Sequence, residues 1–526
     1  MREKAEAQGQ DLLVIDTGDR VEGNGLYDSS KPKGVYLSDI LRHQEIDLLT
    51  SGNHELYTQN ASEAELLITV PNFRGNYLAS NIDIIHPVTQ ELVPLAPRYK
   101  KFTTKIQGIR IVAFGFLFDF TGNWNNTVVQ KVSSTIKEDW FQEAIRDKEV
   151  DLFLVIGHVP VHSPEYRAIF KEIRGIRWDT PIQFFGGHQH VRDYARYDSK
   201  AYGLASGRFM ETVGFMSIDG LNTPKSNHLS SAVASPVFRR RYIDQNLYSY
   251  YHHTGLNEET FPTEKGQNVS RLIAKARTDL QLDQIHGCAP QDLWMSRVKY
   301  PSPNSLYTWL ETQVLTDSLK DESRADIPTL AVVNTGAMRF DIFQGPFTQD
   351  SLFILSPFTS GFRYVKDIPY DKAQLIVEVL NKQPQILQMS QEGEYSSTTL
   401  APPEQLFFPE DVVVNNWGHS DQTPLSGKLV PGYTTQDDAG TDGDDTVHAP
   451  ISRYRVSNVI RTLLHNTTET PEKVDFVYID FIEKYVVMAA KFAGLDVDFA
   501  KESDVYMPQM SLTTLVLDWV KKHWKC

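Results

Sequence analysis

Asp11-Leu-Leu-Val-Ile-Asp-Thr-Gly-Asp19 decides the fold, because this short apolar run ends in Gly-Asp and similar arrangements recur three times. Residues 46–49 run into Gly-Asn-His-Glu, residues 151–156 into Gly-His, and residues 182–185 into Gly-Gly-His-Gln-His. A short apolar run bounded by glycine predicts a buried strand of a parallel or mixed sheet. Side chains beyond the carboxyl ends of such strands share one crevice. The sequence therefore predicts an α/β domain with a site at four strand ends.

The side chains delivered to that site offer only oxygen and imidazole nitrogen, a mixture that holds hard or borderline divalent metals for hydrolysis. Asp19 is predicted to bridge two metal ions about 3.5–4 Å apart, because a carboxylate has two oxygens. Asn53, His158 and His188 are predicted to complete one metal position. His190 lies two residues after His188 and is predicted to bind the other metal.

His54 directly follows Asn53 and is predicted to be offset from the metal towards a substrate. This position suits a general acid that protonates the leaving oxygen, or a donor that stabilises charge on a phosphoryl group. The nucleophile would be a hydroxide between the metals. A lone histidine is more often a core or surface residue, but four glycine-led motifs in succession favour a metal site. Glu55 and Asp193 are predicted to support the ligands.

A second domain is expected, because 526 residues are too many for one hydrophobic core. We place a first domain at residues 1–245, a connector and linking helix at 246–287, and a second domain at 288–526. In the second domain, residues 330–334 are predicted to form a strand. Residues 476–495 are predicted to form a packed helix, since charges interrupt their apolar run.

These motifs resemble the calcineurin-like metallophosphoesterases, specifically the two-domain 5′-nucleotidase family, which includes UDP-sugar hydrolases and 2′,3′-cyclic phosphodiesterases. The resemblance implies a four-layer αββα N-terminal domain with two divalent metals (zinc, manganese or iron) and a catalytic histidine after the asparagine. It also implies a C-terminal α+β domain that closes over the metals and binds the substrate. The matching motifs are Gly18-Asp19, Gly52-Asn53-His54-Glu55, Gly157-His158 and Gly187-His188-Gln-His190.

Two motifs of the second domain extend the resemblance. Asn334-Thr-Gly336-Ala-Met-Arg339 is similar to the family's Asn-x-Gly-x-x-Arg, whose arginine holds the anionic part of the substrate. An arginine on such a turn can bind phosphate through two hydrogen bonds, and a surface ion pair is the alternative. Asp444 lies in a loop similar to the family's Gly-Gly-Asp-Gly, whose aspartate accepts from ribose hydroxyls. A solvated acidic loop or a calcium-type turn remains open for it.

The chain departs from the family pattern in three places. The family's Asp-x-His strand precedes Gly-Asp by tens of residues, whereas Gly18-Asp19 stands near residue 1. We therefore expect a divergent, fungal-like member that lacks two ligands of one metal and is catalytically impaired as given. Tyr57 stands where nucleotidases commonly have an aspartate that orients the catalytic histidine.

The third departure concerns the nucleoside base, which the nucleotidases stack between two aromatic rings. Residues 436–440, just before Gly443, contain no aromatic residue. Possible substitutes, which nothing in the spacing selects, are Phe407, Phe408, Trp417 and Tyr433. The sequence therefore leaves nucleoside specificity more open than phosphoester hydrolysis.

The composition restricts partners and compartment. A net charge of −15 argues against binding to a nucleic-acid polymer, and no apolar stretch reaches the ~18 residues that span a bilayer. Four Asn-x-Ser/Thr sequons, at Asn60, Asn125, Asn268 and Asn466, favour the secretory pathway. Cys288 and Cys526 could form a disulfide or remain two inert thiols. The first nine residues resemble the end of a helix rather than a signal peptide, so we expect a signal or anchor upstream.

These observations lead to a secreted, vacuolar or otherwise lumenal metal-dependent phosphoesterase of the 5′-nucleotidase type. Its substrate would be a small phosphoester, with a nucleotide as the leading candidate. Two alternatives stay open. One is a non-catalytic family member that binds a ligand or partner, and the other is a phosphoesterase for a non-nucleotide substrate.

Overall fold

A computed structural model describes residues 1–221, 236–324, 326–382, 400–403, 445, 454–464 and 469–526. The described residues form two compact units. The first unit contains residues 1–21, residues 38–272 apart from the gap at 222–235, and Asp445. The second unit contains residues 22–37 and the described residues from 273 to 403 and from 454 to 526. Outside the described residues lie Asp444, Phe407, Phe408, Trp417, Tyr433 and Asn466.

A six-stranded mixed sheet forms the centre of the first unit. Its two longest central strands are almost wholly buried, as expected for apolar strands covered on both faces. The strand order is β10-β11-β9-β8-β6-β5, and β6, β8, β9 and β11 run parallel. The strands are β5 (Tyr99–Thr103), β6 (Arg110–Leu117), β8 (Leu152–His158), β9 (Ile182–Gly186), β10 (Arg192–Asp198) and β11 (Ala201–Ser206).

Alternation along β6 and β8 directs side chains to two different layers. Ile111 and Leu154 pack with Leu48 in one apolar cluster. Their neighbours Val112 and Phe153 belong to a second cluster that includes residues of the helices Asp139–Arg146 and Pro164–Ile176. The sheet therefore lies between a helical layer and a second β layer, because successive residues of a strand point to opposite faces.

The second β layer contains the predicted first strand, which is shorter than its apolar run. Only Ile15–Asp16 (β1) pairs with Leu48–Leu49 (β2), in parallel. The Val14 N–H donates to the Asp47 carboxylate at 2.6 Å instead of to the neighbouring strand, although the Val14 carbonyl still accepts the Asp47 N–H at 2.9 Å. The unit's other strands are β3 (Ile82–Ile85), β4 (Leu92–Pro94), β7 (Thr127–Val129), β12 (Thr212–Asp219) and β13 (Val237–Asp244).

Helices cover the first unit, and one of them contains a π-helical segment, Glu65–Thr69, which turns Glu65 inward. Gly9 has a φ of +74° just after the first helix, in agreement with its predicted place at a helix end. The helices of this unit are Arg2–Ala7, Gln59–Ala64, Val70–Asn72, Val132–Thr135, Asp139–Arg146, Pro164–Ile176 and Leu247–Thr254. Two more helices, Val35–Leu41 and Glu264–Asp279, each have residues assigned to both units.

The second unit is built on a five-stranded mixed sheet of order β18-β15-β19-β17-β20, in which only β15 and β19 pair in parallel. A separate antiparallel pair joins β14 (Ile285–Ala289) to β16 (Gly345–Thr348). The sheet strands are β15 (Thr329–Asn334), β17 (Gly361–Pro369), β18 (Val459–Leu464), β19 (Lys473–Ile479) and β20 (Asp504–Ser511).

One predicted helix of this unit is wrong in its first half. Phe476 and the three residues after it belong to β19, and the helix occupies only Glu483–Phe492. The run from Phe476 to Ile479 is buried at the centre of the sheet, and a short apolar run does not distinguish a buried strand from a helix. The unit's helices are Gly25–Asp28, Leu306–Trp309 continuing through the π-helical Leu310–Leu315 to Thr316–Ser318, Gln349–Leu355, Tyr370–Asn381, Glu483–Phe492, Phe499–Glu502 and Leu512–His523.

Two further expectations concern the whole chain. Cys288 and Cys526 form a disulfide, with their Cα atoms 4.9 Å apart. Within the described ranges, none of the helices has the length and apolar character needed to cross a membrane.

Candidate metal centre

The parallel pairing of β1 with β2 brings the first two motifs together. Asp16 is in register with Leu49, so the loops that follow them leave the layer side by side. A Cβ on Gly18 would stand 2.2 Å from the Gly52 nitrogen, and a Cβ on Gly52 would stand 2.0 Å from Oδ1 of Asp19. Both positions therefore require glycine for the two loops to touch.

The other two motifs arrive on neighbouring strands of the six-stranded sheet. β8 ends in His158, and Gly187 and His188 follow the end of its parallel neighbour β9. A Cβ on Gly187 would lie 3.1 Å from Oγ1 of Thr17 and 3.2 Å from Nδ1 of His158. The predicted convergence of four strand ends is therefore present in the structure.

Three of the predicted ligands form a compact group. One ligand atom each from Asp19, His158 and His188 lie within 4.8 Å of one another. Nε2 of His158 lies 2.8 Å from Oδ2 of Asp19, although among the described residues this nitrogen has no partner with hydrogen-bond geometry. Two neighbouring ligands of an octahedral metal, with bonds of about 2.1 Å, stand about 3 Å apart. The short distance fits two ligands of one cation.

The tautomer of His158 is suited to that role. Its Nδ1 lies 3.0 Å from the Thr17 carbonyl oxygen, which can only accept, so Nδ1 carries the proton. When the ring is neutral, Nε2 therefore keeps the lone pair that a metal ion would accept. A hydrogen bond from the far ring nitrogen is the usual way in which proteins orient a histidine that binds a metal.

Asn53 is a candidate for a fourth donor. Its side chain is buried, and Oδ1 has no hydrogen-bond partner among the residues that the structure describes. An unsatisfied buried acceptor costs about 1–3 kcal/mol, a cost that a bound cation would remove. The orphaned Oδ1 and the orphaned Nε2 of His158 show that the donor set fits a divalent metal.

His54 lies beside this group without belonging to it. Its backbone N–H donates to Oδ1 of Asp19 at 3.0 Å, and its Nε2 lies 3.9 Å from Oδ2 of the same residue. The ring packs edge-on against Tyr57, with centroids 4.9 Å apart. His54 therefore lies next to the candidate ligands, as the sequence predicted, with its side chain partly exposed.

His190 lies outside the group of three, within the part of the chain that the structure describes. Its ring contacts Phe209, with centroids 5.6 Å apart. Its backbone is left-handed (φ +59°), as are those of Asp19 (+59°) and His188 (+77°). Such conformations cost non-glycine residues of order 1–3 kcal/mol each and cluster at functional sites.

Charge around Asp19 favours the ionised carboxylate. Burial raises the pKa of Asp19, but the neighbouring His158 and His54 lower it more, so the pKa lies well below the usual value. A carboxylate that stays ionised near neutral pH is available as a metal ligand.

Glu55 holds together the two loops that carry Asp19 and Asn53. Its Oε2 accepts the N–H groups of Gly52 (2.8 Å) and Asp19 (3.1 Å), and its Oε1 accepts that of Arg20 at 2.7 Å. Burial raises the pKa of Glu55 above its usual value, although the neighbouring Arg20 partly offsets this effect. The predicted supporting role therefore acts through backbone amides of the two loops. Asp193, the other predicted support, pairs with His162 at 3.1 Å.

Arg20 forms a buried ionic network beneath these loops that sequence reasoning missed. Its guanidinium donates to Asp16 at 2.9 Å, to the Thr50 carbonyl at 2.8 Å and to Glu65 at 3.0 Å. Tyr77 also donates to Glu65, at 2.8 Å. An arginine next to a ligand gives no local signal of burial, because most arginines are exposed.

Comparisons with known proteins agree with this geometry. A family model described as calcineurin-like phosphoesterase matches residues 1–192, and one described as NAD nucleotidase, C-terminal domain, matches residues 292–487. A protein of Schizosaccharomyces pombe is 37% identical over 511 residues, covering 93% of this chain and 79% of the relative. The chain belongs to the calcineurin-like metallophosphoesterases. Its C-terminal domain is of the 5′-nucleotidase type.

Two further proteins are similar to this chain over most of its length. A protein of Arthroderma benhamiae described as a secreted protein is 35% identical, covering 95% of this chain and 82% of the relative. The crystal structure of a 5′-nucleotidase from Candida albicans has a TM-score of 0.86 and 36% identity, covering 99% of this chain and 91% of that one.

In the second unit, the residues of the Asn-x-Gly-x-x-Arg motif make two different kinds of contact. Asn334 donates from Nδ2 to the Leu400 carbonyl oxygen at 3.2 Å, and a Cβ on Gly336 would stand 2.8 Å from that same oxygen. Both residues thus hold the chain at Leu400. The guanidinium of Arg339 lies over the ring of Phe358, 4.9 Å from its centroid.

An aromatic pair next to Arg339 was also missed from the sequence. The rings of Phe358 and Phe481 are nearly parallel, at 15°, with centroids 6.5 Å apart. The antiparallel pairing of β17 with β19 brings their loops together, and the Gly361 N–H donates to Asp480 at 3.0 Å. The two phenylalanines are 123 residues apart in a chain whose strand pairing was unknown, so no local pattern linked them.

Proposed function

We propose that this phosphoesterase hydrolyses phosphate monoesters with divalent metal ions, and that its substrates are nucleotides. The main support for the proposal is the group of Asp19, His158 and His188, together with the buried Oδ1 of Asn53, which has no partner among the described residues. Asn53 directly precedes His54, whose backbone N–H donates to Asp19. Oxygen and imidazole donors of this kind suit zinc, manganese or iron.

The four donors would hold one metal ion, with Asp19 shared with a second ion to which His190 would contribute. Divalent metal ions, when bound, polarise phosphoryl oxygens and lower the pKa of coordinated water to about 7. The chain contributes fixed ligand directions, because Glu55 and the glycines hold the two loops in place.

His54 would donate a proton from its imidazole to the leaving oxygen of the substrate. It lies next to the ligand group, with Nε2 3.9 Å from Oδ2 of Asp19, and its backbone is fixed by Oδ1 of the same carboxylate. A positioned acid of this kind contributes typically 10²–10⁴-fold to the rate.

Arg339, Phe358 and Phe481 would bind the remainder of the nucleotide. An arginine binds the anionic group through two hydrogen bonds. A planar base between two rings requires them about 7 Å apart, twice a van der Waals contact of about 3.5 Å. The observed 6.5 Å separation and 15° angle approach that arrangement.

We also infer that residues 1–245 form the catalytic domain and residues 288–526 the substrate-binding domain, joined by residues 246–287. A lumenal or extracellular location is supported by three observations. Cys288 and Cys526 form a disulfide, a relative is described as a secreted protein, and the sequon residues Asn60, Asn125 and Asn268 are exposed. We therefore expect a glycoprotein of the secretory pathway.

The proposal is tested by measuring phosphate release from AMP and from glycerol phosphate, with the protein stripped by a chelator and then supplied with manganese or zinc. We expect release to require the metal and to favour AMP. A metal-binding protein that releases no phosphate would be the non-catalytic member of the family. Equal efficiency on both substrates would remove the base-binding role of Phe358 and Phe481.

A further inference from the structure

The two ends of the Asn53 amide have different surroundings. Its Nδ2 donates to the Tyr57 hydroxyl at 2.9 Å, whereas Oδ1 is buried and has no partner among the described residues. Asn53 and Tyr57 both have helical backbone angles, and a separation of four residues places their side chains on one face of the turn. The contact therefore follows from the local backbone.

The orientation of this amide matters because only its oxygen binds a metal. With Oδ1 on a cation, Nδ2 remains buried and needs an acceptor. The Tyr57 hydroxyl provides one. Its ring makes edge-on contacts with His54, at 4.9 Å, and with Phe120, at 5.6 Å, and these contacts help to orient the hydroxyl.

We propose that Tyr57 is a positioning residue for the metal: its hydroxyl accepts the Nδ2–H of Asn53 and thereby keeps Oδ1 directed at the cation. This inference rests on the metal site proposed above. The sequence interpretation treated Tyr57 as the loss of a carboxylate that orients the histidine. The structure gives this residue a different contact, with the ligand that precedes the histidine.

The test measures Co²⁺ affinity and the visible absorption spectrum of bound Co²⁺ in the whole chain and in Tyr57→Phe. The variant keeps the ring and removes the hydroxyl that accepts the Nδ2–H of Asn53. We expect its affinity to fall by roughly 10–100-fold, as for other groups that orient metal ligands, with an altered spectrum. Tyr307→Phe is the matched control. It removes a hydroxyl that donates to the Thr335 carbonyl at 3.3 Å in the second unit, and it should bind Co²⁺ like the unmodified chain.

A second variant separates positioning from general destabilisation. Asn53→Asp in the Tyr57→Phe background should recover Co²⁺ affinity, because a carboxylate has no Nδ2–H that needs an acceptor. Unchanged affinity in Tyr57→Phe, or an equal loss in Tyr307→Phe, would overturn the inference. Failure of the unmodified chain to bind Co²⁺ would instead contradict the metal site itself.

Discussion

Nε2 of His158 lies 2.8 Å from Oδ2 of Asp19, although the first residue ends β8 and the second follows β1 in a different sheet. Neither loop could place its ligand alone. The pairing of β1 with β2 and of β8 with β9 fixes where the loops start, and Gly18, Gly52 and Gly187 allow them to approach. The candidate metal centre is thus a consequence of the packing of the two β layers.

His54→Ala should lower kcat for AMP by roughly 10²–10⁴-fold, because the leaving oxygen would lose its proton donor. Metal affinity should stay the same, since His54 lies outside the ligand group. Steady-state kinetics at saturating metal provides the measurement. His252→Ala, at an exposed histidine, is the matched control. An unchanged kcat would exclude His54 as the acid.

Glu55→Gln should weaken metal binding and lower stability, because an amide cannot accept all three backbone N–H groups that the carboxylate accepts. Disrupting a buried ionic group typically costs about 3–5 kcal/mol. Glu65→Gln is the matched control. The Glu65 carboxylate accepts from the side chains of Arg20, Thr69 and Tyr77, whereas the Glu55 carboxylate accepts the backbone N–H groups of the two loops. Isothermal calorimetry with Mn²⁺ and urea unfolding separate the two effects. Equal loss of metal affinity in both variants would contradict the role of Glu55 in holding the two loops together.

Much of the site could be predicted from the sequence because it is local. Each ligand of the group stands directly after a short apolar run, so Asp19, His158 and His188 could be assigned together. The Phe358–Phe481 pair could not, since it depends on how β17 and β19 pair. The helix predicted from Phe476 failed because burial on both faces removes the period-2 pattern of a strand.

Phe481→Ala should raise KM for AMP by roughly 5- to 150-fold, the equivalent of the ~1–3 kcal/mol that a stacked base contributes. KM for glycerol phosphate should not change, because that substrate has no base. Phe492→Ala, at another exposed phenylalanine of the same unit, is the control. Parallel increases for both substrates would argue against base stacking.

Cys526→Ser should lower the free energy of unfolding by about 2–5 kcal/mol, since a disulfide between residues far apart in sequence restricts the unfolded chain. The bridge joins the end of the chain to β14, next to which Trp524 is buried against Trp309. Urea unfolding with and without a reductant measures the effect. The reduced parent protein should match the variant, and insensitivity of the parent to the reductant would contradict the bridge.

Asp28 should make stability depend on pH. Burial raises its pKa from the usual 3.8 to about 6. The native state therefore holds this proton over that interval while the unfolded chain loses it, so stability is fully present below pH 3.8 and falls as pH rises towards 6. The loss is on the order of 2–3 kcal/mol. Asp28→Asn should flatten this part of the stability curve, measured by urea unfolding from pH 3.5 to 7. An unchanged slope would show that Asp28 does not titrate there.

We propose that Asp19, Asn53, His158 and His188 together hold a divalent metal ion. Anomalous diffraction from crystals of the chain soaked in Mn²⁺ would locate that ion. We expect a peak within about 2.0–2.3 Å of one oxygen or nitrogen atom from each of the four residues, and no such peak in His188→Ala. A map without a peak at this site, or with Mn²⁺ bound only elsewhere, would show that these four residues do not form the metal site.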